Sequence, residues 1–306
     1  MTLYVPRMQY LVSTIRDRVN CLLRVAVALL LVAYPISSHA TLYVIVVGRQ
    51  QIAIASDSRL VTLNGSQIAA ADGIQKVISL GNRIAFMTTG VGEISTRRVT
   101  ITPDQVAREC YSSMVKNGRR AGIGQLADAF GQTITERLDR LSAPAKAQID
   151  SMVQQFGSQD NEVMESTFVG VNDNGQLLIE TVNVYLFPPS SATEKAKFEW
   201  TRHETPGDRP NIILSGEVGV LRSAFENAAS PIAQLSSFQT WWQAFRDGRP
   251  VNAAQTAEAL VNLAIKYSPP DQARLGYPIF VYTVDAHNGL TKLRTVPKGK
   301  AAVLPH

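Results

Sequence analysis

Thr41-Leu-Tyr-Val-Ile-Val-Val47, then Gly48-Arg49-Gln50, then Ile52-Ala-Ile-Ala-Ser-Asp57-Ser-Arg59 read as two strands around a tight turn. Apolar and β-branched residues fill both arms, and glycine supplies the turn. A second pair follows: Val77-Ile-Ser-Leu80, Gly81-Asn82, then Arg83-Ile-Ala-Phe-Met-Thr-Thr-Gly90. Gly-Asn between apolar runs is a hairpin signal. A turn centred on Arg49 sets Thr41 opposite Asp57. A turn on Gly81-Asn82 sets Lys76 opposite Met87, with Gly90 just beyond. With the hairpins side by side and their open ends together, a hydroxyl, a carboxylate, an ammonium and a flexible backbone share one edge.

A threonine hydroxyl is a weak nucleophile at neutral pH and needs a base. Its own free α-amine, which titrates near ~8, can serve. That chemistry requires Thr41 to be the first residue. The preceding segment suits its removal. Arg7, Arg16, Arg18 and Arg24 face one acid, Asp17, and are followed by the apolar run Val25–Ala33 and the small-x-small site Ser38-His39-Ala40. This is the pattern of a secretory signal peptide, residues 1–40, cleaved before Thr41. Read instead as a membrane anchor, its apolar run is short and Pro35 interrupts it.

Four motifs, Thr41, Ala55-Ser-Asp57-Ser-Arg59, Gln75-Lys76-Val77 and Thr89-Gly90-Val-Gly92, occur in order. In that order and spacing the chain resembles proteasome β-subunits and their bacterial relatives, within the N-terminal nucleophile hydrolases. The segment between Asp57 and Lys76 is a few residues longer than that pattern. The resemblance implies a four-layer αββα sandwich, assembly as a homo-oligomer, and specific roles. Thr41 would be the nucleophile. Lys76 would lower the pKa of the amine and hydroxyl by its field. Asp57 would hold Lys76 and balance its charge. The Gly90 amide would receive the oxyanion. Ser215, in Ser215-Gly216, would support proton transfer, and Asp271 would match an outer carboxylate. Arg274 stands where that pattern has a serine.

The rest of the chain fits a layered α+β fold. Helices are expected from Pro103, from about Gly124 to Leu141, from Pro144, near Val220–Ala229 and Ile232–Phe245, and over Ala253–Tyr267. Strands are expected at Thr167–Val171, Gln176–Leu186, Lys197–Arg202, Asn211–Gly216, Pro278–Val284 and Gly289–Thr295. Residues 41–306 read as one domain. Formal charge is +5 for the whole chain; loss of residues 1–40 leaves 26 basic and 24 acidic residues, a formal +2. The basic balance therefore gives no support for a nucleic-acid partner. Cys21 leaves with the signal, and Cys110 lies on an apolar helical stripe, which suits packing. His203, His287 and His306 lack metal-ligand spacing, so neither a metal nor another cofactor is expected.

The expected function is an exported threonine-nucleophile hydrolase, periplasmic or secreted, cleaving amide and first of all peptide bonds through an acyl-ester on Thr41. Its partners are the substrate and signal peptidase, with no ATPase partner after export. Two alternatives stay open: a non-catalytic binding or assembly module on the same fold, and a membrane-tethered precursor with Thr41 blocked.

Overall fold

The computed structural model describes residues 36–39, 41–64, 67–95, 99–116, 122–156, 161–172, 174–188, 196–269 and 274–304. The expected signal peptide lies outside these residues except for 36–39, and Asp271 lies outside them too. Ile36–His39 forms β1, Leu42–Val47 β2, Gln51–Ser56 β3, Leu60–Asn64 β4 and Gln67–Ala71 β5. Ile78–Leu80 (β6), Ile84–Ser95 (β7) and Thr100–Ile101 (β8) precede helices Pro103–Lys116 (α1), Ile123–Asp139 (α2) and Ala143–Phe156 (α3). Glu162–Val171 (β9), Leu177–Phe187 (β10), Lys197–Pro206 (β11) and Asn211–Gly216 (β12) follow. Helices Gly219–Glu226 (α4), Ser236–Arg246 (α5) and Ala253–Tyr267 (α6) lead to the closing pair Ile279–Asp285 (β13) and Gly289–Val296 (β14).

These strands make two antiparallel sheets among the described residues. One has five strands in the order β12-β2-β3-β13-β14; the other has nine, along β11-β10-β9-β7-β1-β4-β5 with β6 and β8 also on β7. The protein is thus mixed α/β with antiparallel sheets. Alternation along a strand covered on both faces explains why β2 is apolar throughout, whereas β11 and β14 carry polar, exposed residues. Leu42, Val44 and Val46 of β2 pack with Leu221 of α4, Trp241 of α5 and Leu260 of α6. Tyr43, Ile45 and Val47 turn the other way and pack with Ala85 and Met87 of β7 and Val169 of β9. Ile84 and Phe86 of β7 point away from that cluster, toward Val106 of α1, Phe130 of α2 and Ile149 of α3.

The rings of Phe86, Phe130 and Phe168 meet at centroid distances of 4.8–5.5 Å and clamp α2 to β7 and β9. Edge-to-face contacts of this kind add about 0.5–1.5 kcal/mol beyond the buried area. Cys110 belongs to the same core. Burial raises its thiol pKa, which favours packing over reactivity.

Three expectations about the first hairpins are corrected. In β2–β3 Tyr43 faces Ser56, so Leu42, not Thr41, comes opposite Asp57. In β6–β7 Ile78 faces Phe86, which moves Lys76 one residue along, toward Thr88. The turns hold one residue more than the expected centres allow, and a one-residue slip exchanges the faces. The hairpins also do not lie side by side. They belong to different sheets and stack through Tyr43, Ile45, Ala85 and Met87. The longer segment after Asp57 contains β4 and β5, a strand pair that the sequence reading left unassigned.

Candidate active site

Asp57 follows the last residue of β3, and its carboxylate collects four donors. Oδ1 accepts from Leu42 N at 2.9 Å and from Lys76 Nζ at 2.9 Å. Oδ2 accepts from Arg59 N at 2.9 Å and Gly276 N at 3.3 Å. Both side chains of the ion pair are out of solvent, Lys76 at 2% and Asp57 at 0% exposure. Burial disfavours both charges: it pushes Lys76 below the ordinary lysine range and Asp57 above the ordinary carboxylate range, while their mutual attraction opposes both shifts. A buried pair of this kind stands because each charge satisfies the other.

Tyr43 fixes the main chain around Lys76. Its hydroxyl lies 3.2 Å from the Lys76 carbonyl and 2.9 Å from the Thr88 carbonyl, tying the entry to β6 onto β7. Ser58 and Arg59 brace the next loop. Ser58 Oγ accepts from Gly73 N at 3.1 Å, and Arg59 holds Asp72 through two bonds of 2.7 and 2.9 Å. The Asp57-Ser58-Arg59 run therefore spends all three polar side chains on placing Lys76 and its approach.

Thr41 sits at the head of β2, fully buried. Its carbonyl accepts from Glu217 N at 2.9 Å. Its hydroxyl has no hydrogen-bond partner among the described residues. Gly216, at φ +88°, lies so close that a Cβ there would collide with the Thr41 carbonyl and stand 3.0 Å from the Thr89 methyl. Gly90, at φ +84°, lies so close to β9 that a Cβ would collide with the Val163 carbonyl. Both conformations favour glycine.

Ser215 shares this corner. Its hydroxyl lies 3.3 Å from Thr89 Oγ1, and it opposes the rise that burial causes in the Glu165 pKa. Arg274, 2.8 Å from Glu217, anchors the residue that holds the Thr41 carbonyl. Pairing of β1 with β7 brings His39 opposite Gly90.

Five residues singled out from the sequence thus belong to one linked neighbourhood. Asp57 bonds Lys76 and the amide next to Thr41; Ser215 and Gly216 flank Thr41; Thr89 and Gly90 cross beneath. Asp271 lies outside the described residues. Sequence reasoning missed Tyr43, Glu165, Glu217 and Gly276, and it named Thr89 only as part of a motif, with no role of its own. Only Glu165 carried a local signal, as one of two acids, with Glu162, on β9. Among the described residues, no group of three or more His, Cys, Asp or Glu side chains is placed to hold a metal ion.

No family model matches the chain, and no curated protein matches it. Among solved structures, it is similar to an Anbu mutant from Hyphomicrobium sp. strain MC1, at 10% identity and TM-score 0.40, covering 85% of this chain and 88% of that one. It is similar to Anbu (ancestral beta-subunit) from Yersinia bercovieri, at 13% identity and TM-score 0.46, with coverages of 85% and 88%. A third is the helical assembly of the Anbu complex from Pseudomonas aeruginosa, at 14% identity and TM-score 0.44, again with coverages of 85% and 88%. At these scores the superpositions carry no argument about this chain.

The family resemblance drawn from the sequence is corrected accordingly. Its motifs are short, and no family model supports the membership they implied. The chain is not assigned to the N-terminal nucleophile hydrolases.

Proposed function

We propose that the chain is an exported hydrolase that cleaves amide bonds with Thr41 as nucleophile. In this reading, signal peptidase removes residues 1–40, the mature protein is periplasmic or secreted, and residues 41–306 form one four-layer αββα domain. The core clusters support the layering, since β2 and β7 each pack one face on helices and the other on the opposite sheet.

One observation carries the assignment. The Thr41 hydroxyl is buried without a hydrogen-bond partner among the described residues, next to a buried lysine–aspartate pair and two conformationally demanding glycines. Unsatisfied buried polar groups cost stability, and they persist where function requires them.

The mechanism follows from these groups. The α-amine of Thr41 takes the Oγ proton as Oγ bonds to the substrate carbonyl carbon. The carbonyl π pair moves to oxygen, which the Gly90 amide receives. The ammonium returns its proton to the leaving nitrogen as the C–N bond breaks, and water then hydrolyses the ester by the reverse sequence. Lys76 favours the neutral amine and the developing alkoxide by its charge.

Peptides are the favoured amide class. Residues 36–39 pair antiparallel with β7 on one side and β4 on the other, ending beside Gly90. An extended peptide can take that place once the segment has left, by strand addition. Hydrolysis of a panel of peptidyl amides by the purified mature chain tests the reading. Turnover that vanishes in Thr41→Ala supports it; equal turnover in Thr41→Ala and wild type excludes it.

A further inference from the structure

Glu165 is the carboxylate in this corner that the mechanism above leaves unused. On β9 it lies between Thr89 of β7 and Asn183 of β10, both uncharged. Ser215, on the other sheet, lies 3.3 Å from Thr89 Oγ1, and its hydroxyl opposes the rise in the Glu165 pKa. The residue after Ser215 packs on the Thr41 carbonyl, and the next one donates to that carbonyl at 2.9 Å. Glu165, Thr89 and Ser215 thus form a polar cluster beside Gly216, the residue packed on the Thr41 carbonyl.

We propose that Glu165 is a positioning residue which, through the Ser215 hydroxyl, orients the Thr41 α-amine and stabilises its protonated form during catalysis. The proposal rests on the reading of Thr41 as an N-terminal nucleophile. A serine hydroxyl has one proton. Donated to Glu165, that proton leaves the Ser215 oxygen as an acceptor for the ammonium that forms when Thr41 Oγ gives up its proton. The ionised carboxylate then offsets the positive charge one hydroxyl away, and no covalent bond to Glu165 forms or breaks.

The charge environment suits a group that changes state in the working range. Burial raises the Glu165 pKa to about 7, with Ser215 opposing the shift and Glu162 of the same strand adding to it. Glu162 is itself bonded by Asn183 Nδ2 at 2.9 Å. Beyond Ser215, Glu217 is paired with Arg274. The Asp57–Lys76 pair is tied to the residue after Thr41 through the Leu42 amide. Protonation of Glu165 removes the negative charge of the cluster, so the amine loses its counter-charge on the acid side of neutrality.

The test uses the mature chain beginning at Thr41, as wild type, Glu165→Gln, Ser215→Ala and the double variant. The α-amine titration is followed by NMR of 13C-labelled threonine. The rate of Thr41 modification by a peptidyl electrophile is followed from pH 5.5 to 9. Glu165→Gln should lower the amine titration midpoint, because a nearby negative charge favours the ammonium. It should slow modification at pH 8 by at least about tenfold, below the ~10²–10⁴ of a direct proton-transfer group. It should also remove one ionisation from the acid limb. Ser215→Ala should do the same, and the double variant should be no slower than either single one. An unshifted amine titration in Glu165→Gln, or additive rate losses, overturns the proposal. A wild-type chain whose Thr41 resists the electrophile defeats the hydrolase reading instead, and the amine titration still shows whether Glu165 acts on Thr41.

Discussion

Lys76 and Asp57 form an ion pair of 2.9 Å that is shut away from solvent. The same Asp57 oxygen also accepts from the amide of Leu42, the residue after Thr41, at 2.9 Å. One carboxylate oxygen therefore couples the cation to the chain segment that carries the hydroxyl.

Breaking this pair from either side should be costly twice over. Lys76→Ala leaves a buried carboxylate and should destabilise the chain by about 3–5 kcal/mol, measured by denaturant unfolding. Turnover should fall by several orders of magnitude, and somewhat less for Asp57→Asn. The double variant should lose much less than the product of the single losses, because the groups act as a unit. Additive losses would reduce the pair to a structural brace.

Thr41 should behave as a residue kept at the expense of stability. Replacing an unsatisfied buried hydroxyl by an apolar group of the same shape is neutral to stabilising. Thr41→Val in the uncut chain should therefore unfold at equal or higher denaturant than wild type, by up to about 1–3 kcal/mol. In the mature chain it should have no turnover, whereas Thr41→Ser should keep part of it. A strongly destabilised Thr41→Val would show that the hydroxyl has a structural bond.

Gly216→Ala should disturb Thr41 without touching its side chain. The added methyl meets the Thr41 carbonyl, and φ +88° is strained for alanine. A loss of about 1–3 kcal/mol in stability is expected, with activity falling beyond what the unfolded fraction explains. Unfolding curves and turnover at matched temperature separate the two effects.

Glu180 gives a pH signature away from the site. Its side chain is 1% exposed on β10, with Arg202 at 3.5 Å, and burial raises its pKa to about 7. A raised folded pKa stabilises the fold fully below the unfolded value, near 4.5, and that contribution is lost as pH rises through about 7. Thermal midpoints should therefore fall between pH 5 and 8, and Glu180→Gln should flatten that fall. A Glu180→Gln variant with the wild-type slope would assign the dependence to other groups.

Parts of this arrangement were legible in the sequence because they are local. β12 and α6 run where the apolar patterns place them, at Asn211–Gly216 and Ala253–Tyr267. Thr41, Asp57, Lys76 and Gly90 stand out because they interrupt or end apolar strands. The register was off by one because turn length, not composition, sets it. Asn64-Gly65 held a hairpin signal for β4–β5 that went unread amid the weak strand pattern of that segment. The rest is tertiary. Gly276 donates to Asp57 across 219 positions, and Thr89 meets Ser215 across 126 only because two sheets stack.

Export itself should activate the protein. As an internal residue Thr41 has an amide nitrogen, which cannot act as a base. Ala40→Asp should block processing and activity together, while Thr41→Ala should still be cut between residues 40 and 41. A Thr41→Ala chain that accumulates as precursor would show self-cleavage in place of signal peptidase.

The most direct test of the central claim is peptide-level mass spectrometry of the exported protein after reaction with a threonine-directed electrophile. The account predicts a chain beginning at Thr41 with the adduct on Thr41, and no adduct in Thr41→Ala. A mature chain that begins elsewhere, or an adduct that persists in Thr41→Ala, would contradict it.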